Sequence, residues 1–375
     1  MPLTLHTQKY TDDSRIVANV ATLKLLLARH NRVICLAKHG KPTSLARSSD
    51  SLRPVSRYLQ TLLPGEHVEF IETPLDQIVR ADLRSRSTLI LLENTRYHQE
   101  EYDGDIGFAK HIAHLGDWYV NDCFATSHRK EASIIGVPQF LPSSMGLHFK
   151  EEIEQADQFL DSTEGPSIGI IGGAKVSKKL LVLPFLLHTC DSVIVGGAVA
   201  NTLLAARGCE VGSSLVDKVS YPLARKILSL QKKSRGVLLC PLDVMVTTPS
   251  GAYCSKSVDD VGRFDRIVDL GPITTSQIEQ LVAGAQSVIW AGPLGYVEEQ
   301  EGQAGTISTA QSLSKKMVLI GGGDTGAFLR DKGLIMPSWH TSTGGGALLE
   351  YIEHRTLPGI RALEDSYKKN RHHYR

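Results

Sequence analysis

A mixed α/β fold, with parallel sheets covered by helices and the chain divided into two domains, is predicted by three observations. Short β-branched runs alternate with segments of helical periodicity along the whole chain, the rhythm of strand–helix–strand crossovers. Glycine-rich turns follow strand candidates repeatedly in the second half, where open α/β sheets bind their ligands. A chain of 375 residues buries a large core, and its length makes two domains the natural starting assumption.

In the first half, strands are expected at Arg32–Ala37, His67–Glu72, Thr88–Leu92 and Trp118–Asn121, separated by helices near Asp12–Ala28, Leu52–Leu63 and Ile106–His114. Phe149–Phe159 reads as an acidic amphipathic helix, and with the polar Asp161–Pro166 stretch it suits an interdomain connector. Strands resume at Ser167–Ile171, Ser192–Val195, Val237–Leu239, Val288–Trp290 and Met317–Ile320. The tail Ser366–Arg375 carries two lysines, two arginines and two histidines with no acid, which fits either a solvated end or a docking segment.

Composition excludes several classes. A formal charge of +1 creates no global field toward nucleic acid or an anionic membrane. No apolar run reaches the roughly 18 residues of a membrane span, and Met1–Gln8 shows no signal-peptide core. The six cysteines have no C-x-x-C pair and no histidine at zinc spacing, so buried free thiols in a cytoplasmic protein are expected.

The most informative run is Ile168–Lys179: a buried strand, a glycine turn at Gly172-Gly173-Ala174, and a helix opening with Lys175, Lys178 and Lys179. Glycines let backbone N–H groups approach a phosphate, and lysines meet its charge. Ala174 before Lys175 rules out a Walker A loop, and an ordinary βα turn with surface lysines is the competing reading. Similar turns occur at Gly196-Gly197, at Ala291-Gly292-Pro293 and at Gly321-Gly322-Gly323-Asp324-Thr325; another, Thr343–Gly346, opens a last helix. Asp324 fits either a Mg²⁺ ligand or a helix N-cap. In the first half, Asn31–Ser49 is basic without an acid. Lys38, His39, Lys41, Arg96, His128 and Arg129 all fall just past strands, either as solvated charges or as a converging site for a small polyanion.

Taken together, these runs resemble phosphoglycerate kinase. The resemblance rests on Leu91–His98, Val120–Arg129, Gly172–Lys179, Trp290–Glu298, Gly321–Asp324 and Ser342–Gly346, in family order from about Thr11 to Leu363. It implies two Rossmann-like lobes, each a parallel sheet flanked by helices, joined by a hinge helix and closing over their ligands. It also implies Mg-dependent phosphoryl transfer between ATP or ADP and the carboxylate of 3-phosphoglycerate. By that likeness Arg15, Lys175, Lys179, Gly345 and Gly346 are catalytic, and the substrate is held by Arg15, Lys38, His39, Lys41, Arg96 and Arg129. Nucleotide contacts would come from Gly173, Ala174, Lys175, Lys179, Gly196, Gly197, Pro293, Glu298, Gly323, Asp324 and Thr325, with Asp324 also on the metal.

The expected lobes are residues 1–148 for the acidic substrate and 166–352 for the nucleotide, with 149–165 as helix and linker and 353–375 packing back on the first lobe. A cytoplasmic monomer without nucleic-acid or membrane partners is expected. The chain departs from the family at several points. Met1–Tyr10 has no R-x-D-x-N-V-P, the S-H-L-G-R-P motif reads Ala37-Lys38-His39-Gly40-Lys41-Pro42, and Lys178 and Ala291 replace an aspartate and an asparagine. A kinase of a different small carboxylate and a non-catalytic paralogue are the alternatives these departures leave open.

Overall fold

The computed structural model describes residues 13–40, 42, 50–83, 88–161, 165–231 and 234–374; Lys41 and Met1–Tyr10 lie outside them. Two compact units emerge, one formed by Met1–Glu154 with His354–Arg375 and the other by Gln155–Glu353.

In the first unit, the helical pattern beginning near Asp12 becomes α1 (Ser14–Ala18) and α2 (Val20–Leu27). The break falls at Asn19, whose side-chain amide donates to the Arg15 carbonyl and competes with the helical ladder. β1 (Val33–Cys35), α3 (Arg53–Leu62), β2 (Val68–Ile71) and β3 (Leu89–Leu92) follow; the three strands pair in parallel in the order β1-β3-β2. The central strand β3 is apolar throughout because both its faces are covered. Leu89 and Leu91 join Leu23, Leu27 and Leu59 of α2 and α3 on one side. Ile90 and Leu92 join Phe108 and Ile112 on the other. Those two residues come from α5 (Ile106–Ala113), which follows the short α4 (Gln99–Asp103). β4 (Tyr119–Asn121) pairs in parallel with β5 (Ser143–Met145), a strand too short and polar to show in the sequence.

The acidic helix is α6 (Leu147–Asp161), which leads into the second unit. There β6 (Ser167–Ile171), α7 (Val176–Thr189), β7 (Ser192–Val195), α8 (Gly197–Arg207), α9 (Tyr221–Leu230) and β8 (Val237–Leu239) build half of a sheet. After β9 (Asp243–Thr247), β10 (Tyr253–Ser257), β11 (Arg266–Leu270) and α10 (Pro272–Gly284), the other half follows. It comprises β12 (Ser287–Ala291), α11 (Ala304–Ser312), β13 (Met317–Gly321), α12 (Gly323–Asp331), β14 (Trp339–Ser342) and α13 (Gly346–His354). The six-stranded parallel sheet runs β14-β13-β12-β6-β7-β8, the doubly wound dinucleotide-fold order, around a core that includes Ile170, Val288, Trp290 and Ile320.

The separate antiparallel sheet β10-β9-β11 was not expected from the sequence. Its edge strand Tyr253–Ser257 is polar and partly exposed, so pairing with β9 rather than an apolar run defines it. Beyond α13, the tail is helical in α14 (Pro358–Lys369) and belongs to the first unit, where Ser366 Oγ and Lys369 Nζ donate to the carbonyls of Leu141 and Gln139.

The cysteines correct the expectation of buried thiols. All six are free, but only Cys190 is buried; Cys123 is exposed and the rest are partly covered. Among the described residues no helix is long and apolar enough to cross a membrane.

Candidate active site

In the doubly wound sheet the strand order reverses between the neighbouring strands β6 and β12, which marks the crevice at their carboxyl ends, and the first residues of the two loops run side by side there. The residues there are glycines because the two loops touch. A Cβ on Gly172 would sit 2.0 Å from the Pro293 carbonyl oxygen, and one on Gly292 would sit 2.1 Å from the Gly172 oxygen. Gly292 also has φ +97°, which a side chain resists. Its N–H donates to Thr325 Oγ1 at 2.8 Å and its carbonyl accepts from Trp290 Nε1 at 2.8 Å, so the turn is held from both sides. The N–H of Gly172 donates to Ala291 O and that of Gly196 to Ile171 O, both at 3.0 Å. The α8 start folds over the same place: Gly197 N–H donates to Leu294 O, and a Cβ on Gly197 would come within 2.8 Å of Gly173 N.

Lys179 projects from the first turns of α7 into this glycine cradle, where its ammonium donates to the Gly172 carbonyl. The same ammonium would be 2.1 Å from a Gly292 Cβ, so an alanine there would displace it. Burial lowers its pKa from 10.5 to about 8; the Asp324 carboxylate opposes that shift and the Lys175 charge adds to it. Lys175 and Asp324 are a different kind of pair, 3.5 Å apart with side chains 77% and 81% exposed, and available to a ligand. Asp324 lies inside the first turn of α12, whose N-cap is Gly322, so it is not the capping aspartate that the sequence also allowed. Gly323 begins that helix, and the loop after β14 meets its start, with a Gly345 Cβ position 3.6 Å from Gly322 Cα and Gly346 opening α13.

Beside the crevice, Ala174, Lys175, Val176, Ser177 and Lys178 face Leu215, Val216 and Asp217 across a cleft of about 490 Å³. Leu215–Asp217 were not singled out in the sequence, because nothing in an isolated apolar pair marks it as a cleft wall. Lys178 is exposed and Ala291 is buried at the end of β12. Glu298 lies on an exposed turn further along the loop after β12 and is not among the contacts described for the crevice.

In the first unit, the cations past β1, β3 and β4 do converge, but on a carboxylate that the sequence reading passed over. Glu131, with 4% of its side chain exposed, lies 2.5 Å from Lys38 Nζ, 3.1 Å from Arg129 Nη1 and 3.6 Å from Arg96 Nη2. Burial pushes its carboxyl upward, but Lys38 and the two guanidiniums outweigh that and hold it below the usual range. Asn94 organises the loops: its side chain accepts from the N–H groups of His39 and Arg96 and donates to the His39 carbonyl. The His39 imidazole is buried, which lowers its pKa, so it is a neutral group near pH 7 and not a further cation. Arg15 is exposed on α1 and is not among the partners of Glu131. Glu131 could have been noticed as the acid that directly follows His128-Arg129-Lys130.

A doubly wound sheet whose switch point gathers glycine backbone, two lysines and a carboxylate has the equipment of a nucleotide-dependent phosphotransferase. The family model "Phosphoglycerate kinase" matches residues 1–355. The phosphoglycerate kinase of Herpetosiphon aurantiacus is 40% identical over 366 residues, covering 96% of this chain and 92% of that protein. That of Roseiflexus castenholzii is 38% identical over 372 residues, covering 96% and 94%. The solved phosphoglycerate kinase of Coxiella burnetii superposes with a TM-score of 0.81 at 32% identity, covering 97% of this chain and 94% of that one. This chain belongs to the phosphoglycerate kinase family, phosphotransferases with a carboxyl group as acceptor.

Proposed function

We propose that the chain transfers a phosphoryl group reversibly between ATP and the carboxylate of 3-phosphoglycerate, with the roles divided between the two clusters described above. A carboxylate oxygen attacks the γ-phosphorus, the bond from that phosphorus to the β,γ-bridging oxygen breaks, and ADP leaves with the electron pair. Such a reaction asks for positioning and charge neutralisation more than for covalent help.

Lys179 carries the reading: a half-buried ammonium at the switch point gains most from meeting an anion, because burial has already removed part of its water. Lys175 reaches the same phosphates, and the N–H groups of Gly345 and Gly346 stabilise the transferring phosphoryl. Gly173, Ala174, Gly196, Gly197, Pro293, Gly323 and Thr325 shape the nucleotide side, and Glu298 takes the ribose. The Leu215–Val216 wall of the cleft suits the apolar face of a base.

Asp324 fits Mg²⁺. It is an exposed carboxylate beside phosphate-binding lysine, and among the described residues no group of three or more His, Cys, Asp or Glu forms a complete protein cage. That is how Mg²⁺ is ordinarily held, by one or two carboxylates with phosphates and water. When bound there it would neutralise charge on the nucleotide phosphates. Arg96 and Arg129 grip the 3-phosphate, bidentately where geometry permits, Arg15 faces the reacting carboxyl, and His39 and Lys41 complete the site. A monomer working in the cytoplasm fits this chemistry.

The test is turnover of the full-length chain with MgATP and 3-phosphoglycerate, coupled through glyceraldehyde-phosphate dehydrogenase to NADH oxidation. Loss of turnover in Lys179→Ala with ADP still bound supports the assignment. A folded wild type without turnover rules out phosphoglycerate as the substrate.

A further inference from the structure

The cation cluster of the first unit contains more structure than an anion site needs. Lys38 is 8% exposed and lies 2.8 Å from Glu101 as well as 2.5 Å from Glu131. Glu101 is fully buried and is itself fixed by the N–H and hydroxyl of Ser133, at 3.0 and 2.7 Å. The ammonium is therefore clamped between two carboxylates and has little charge left to offer a ligand. The two guanidiniums differ. Arg96 is 10% exposed and gives Nη1 to the Gly40 carbonyl at 2.7 Å, yet its buried Nε has no partner among the described residues. Arg129 is 35% exposed and donates Nη1 to the same Glu131 oxygen that attracts Arg96. Three cations against two carboxylates leave one net positive charge, and the unsatisfied donor capacity lies on the arginines.

We infer that Glu131 is a positioning residue for the acidic substrate: its carboxylate sets the two guanidiniums side by side, while Lys38 serves as its internal counter-ion and does not touch substrate. The proposal rests on the reading of Arg96 and Arg129 as the phosphate contacts. A guanidinium fork reads a phosphate by direction as well as charge, so two forks anchored on one rigid carboxylate are preorganised for it. Removing the anchor frees two long side chains, and re-ordering them at each binding event weakens affinity.

The test compares Glu131→Gln, which keeps size and one acceptor oxygen, with a Lys38→Met/Glu101→Gln double variant, in which Glu101 loses its charge together with its cation while Glu131 keeps Arg96 and Arg129. Wild-type turnover is measured first, because its absence refutes the assigned activity and not this inference. The dissociation constant of 3-phosphoglycerate by calorimetry and KM for both substrates are then measured for each protein. Glu131→Gln is expected to weaken 3-phosphoglycerate about tenfold, with KM for MgATP held within about twofold. The double variant is expected to shift 3-phosphoglycerate by no more than about threefold, and Glu131→Asp to recover part of the loss. The inference is overturned if Glu131→Gln moves 3-phosphoglycerate affinity less than about threefold, or moves both substrates equally, as a merely structural residue would. It is also overturned if the double variant costs as much as Glu131→Gln, which would make Lys38 a direct contact.

Discussion

Nucleotide binding should carry a proton with it, and Lys179 is the reason. In the free protein its ammonium titrates near 8, because burial among the glycines of the switch point outweighs the pull of Asp324. Polyphosphate oxygens arriving at the crevice favour the charged form and return the group toward its ordinary range. With a pKa of about 8, roughly a tenth of the protein has a neutral Lys179 at pH 7, about half at pH 8 and about nine-tenths at pH 9. Binding of ADP should therefore take up about 0.1, 0.5 and 0.9 proton at those three pH values. Above pH 8 the dissociation constant should rise by close to a decade per pH unit. Titration calorimetry in pairs of buffers with different ionisation enthalpies measures the uptake directly. Lys179→Met corrects for protons exchanged by the nucleotide itself. Equal uptake by wild type and Lys179→Met at pH 8, or a wild-type uptake that does not grow between pH 7 and 9, would refute the reasoning. The free protein should show the same group from the other side. The unfolded chain holds the lysine proton up to its ordinary pKa, so stability rises with pH between about 8 and 10.5.

Three further outcomes are expected. Asp324→Ala should weaken MgADP by about tenfold while leaving metal-free ADP within about twofold, as calorimetry with and without Mg²⁺ reads. Gly292→Ala must displace both the Gly172 carbonyl and the Lys179 ammonium and force a residue with φ +97°. It should cost about 2 kcal/mol or more in urea unfolding and most of kcat. Asp269, buried beneath the N-terminus of α11 with its oxygens accepting from the N–H groups of Leu270 and Gly305, titrates near 7 because burial outweighs those bonds. Its folded pKa lies above the unfolded value, so its contribution is full below about pH 4 and is lost as pH rises through 7. Unfolding at pH 5 and pH 8 should differ by about 2.6 kcal/mol more in wild type than in an Asp269→Asn variant.

Much of the fold was legible because burial and period speak through local composition. Ser167–Ile171, Ser192–Val195 and Val237–Leu239 are read from the sequence with the bounds they have in the structure, since each is an apolar run ended by turn residues. Trp339–Ser342 and Tyr253–Ser257 were not legible, because a short polar strand is defined by the neighbour it pairs with and not by its own side chains. The same division holds at the crevice. Gly172, Gly292 and Lys179 are distant in sequence, and only the strand order places their loops in contact. Asp324 was ambiguous as a carboxylate after a glycine turn until the helix began one residue before it, which removed the capping role.

What the sequence determined by itself is the chemistry on offer: lysines after a glycine turn, arginines after successive strands, and a family likeness carried by motifs in order. Tertiary structure decided which of those charges are free to act. Lys38 and Arg96 look alike as basic residues past a strand, yet one is neutralised between Glu101 and Glu131 while the other keeps a donor unpaired among the described residues. Lys175 and Lys179 lie one helical turn apart, yet one is solvated and the other is half-buried in a cradle of glycines. The reason is physical. A side chain's type sets its charge, but its desolvation and its partners set the energy of that charge, and both come from segments far away along the chain.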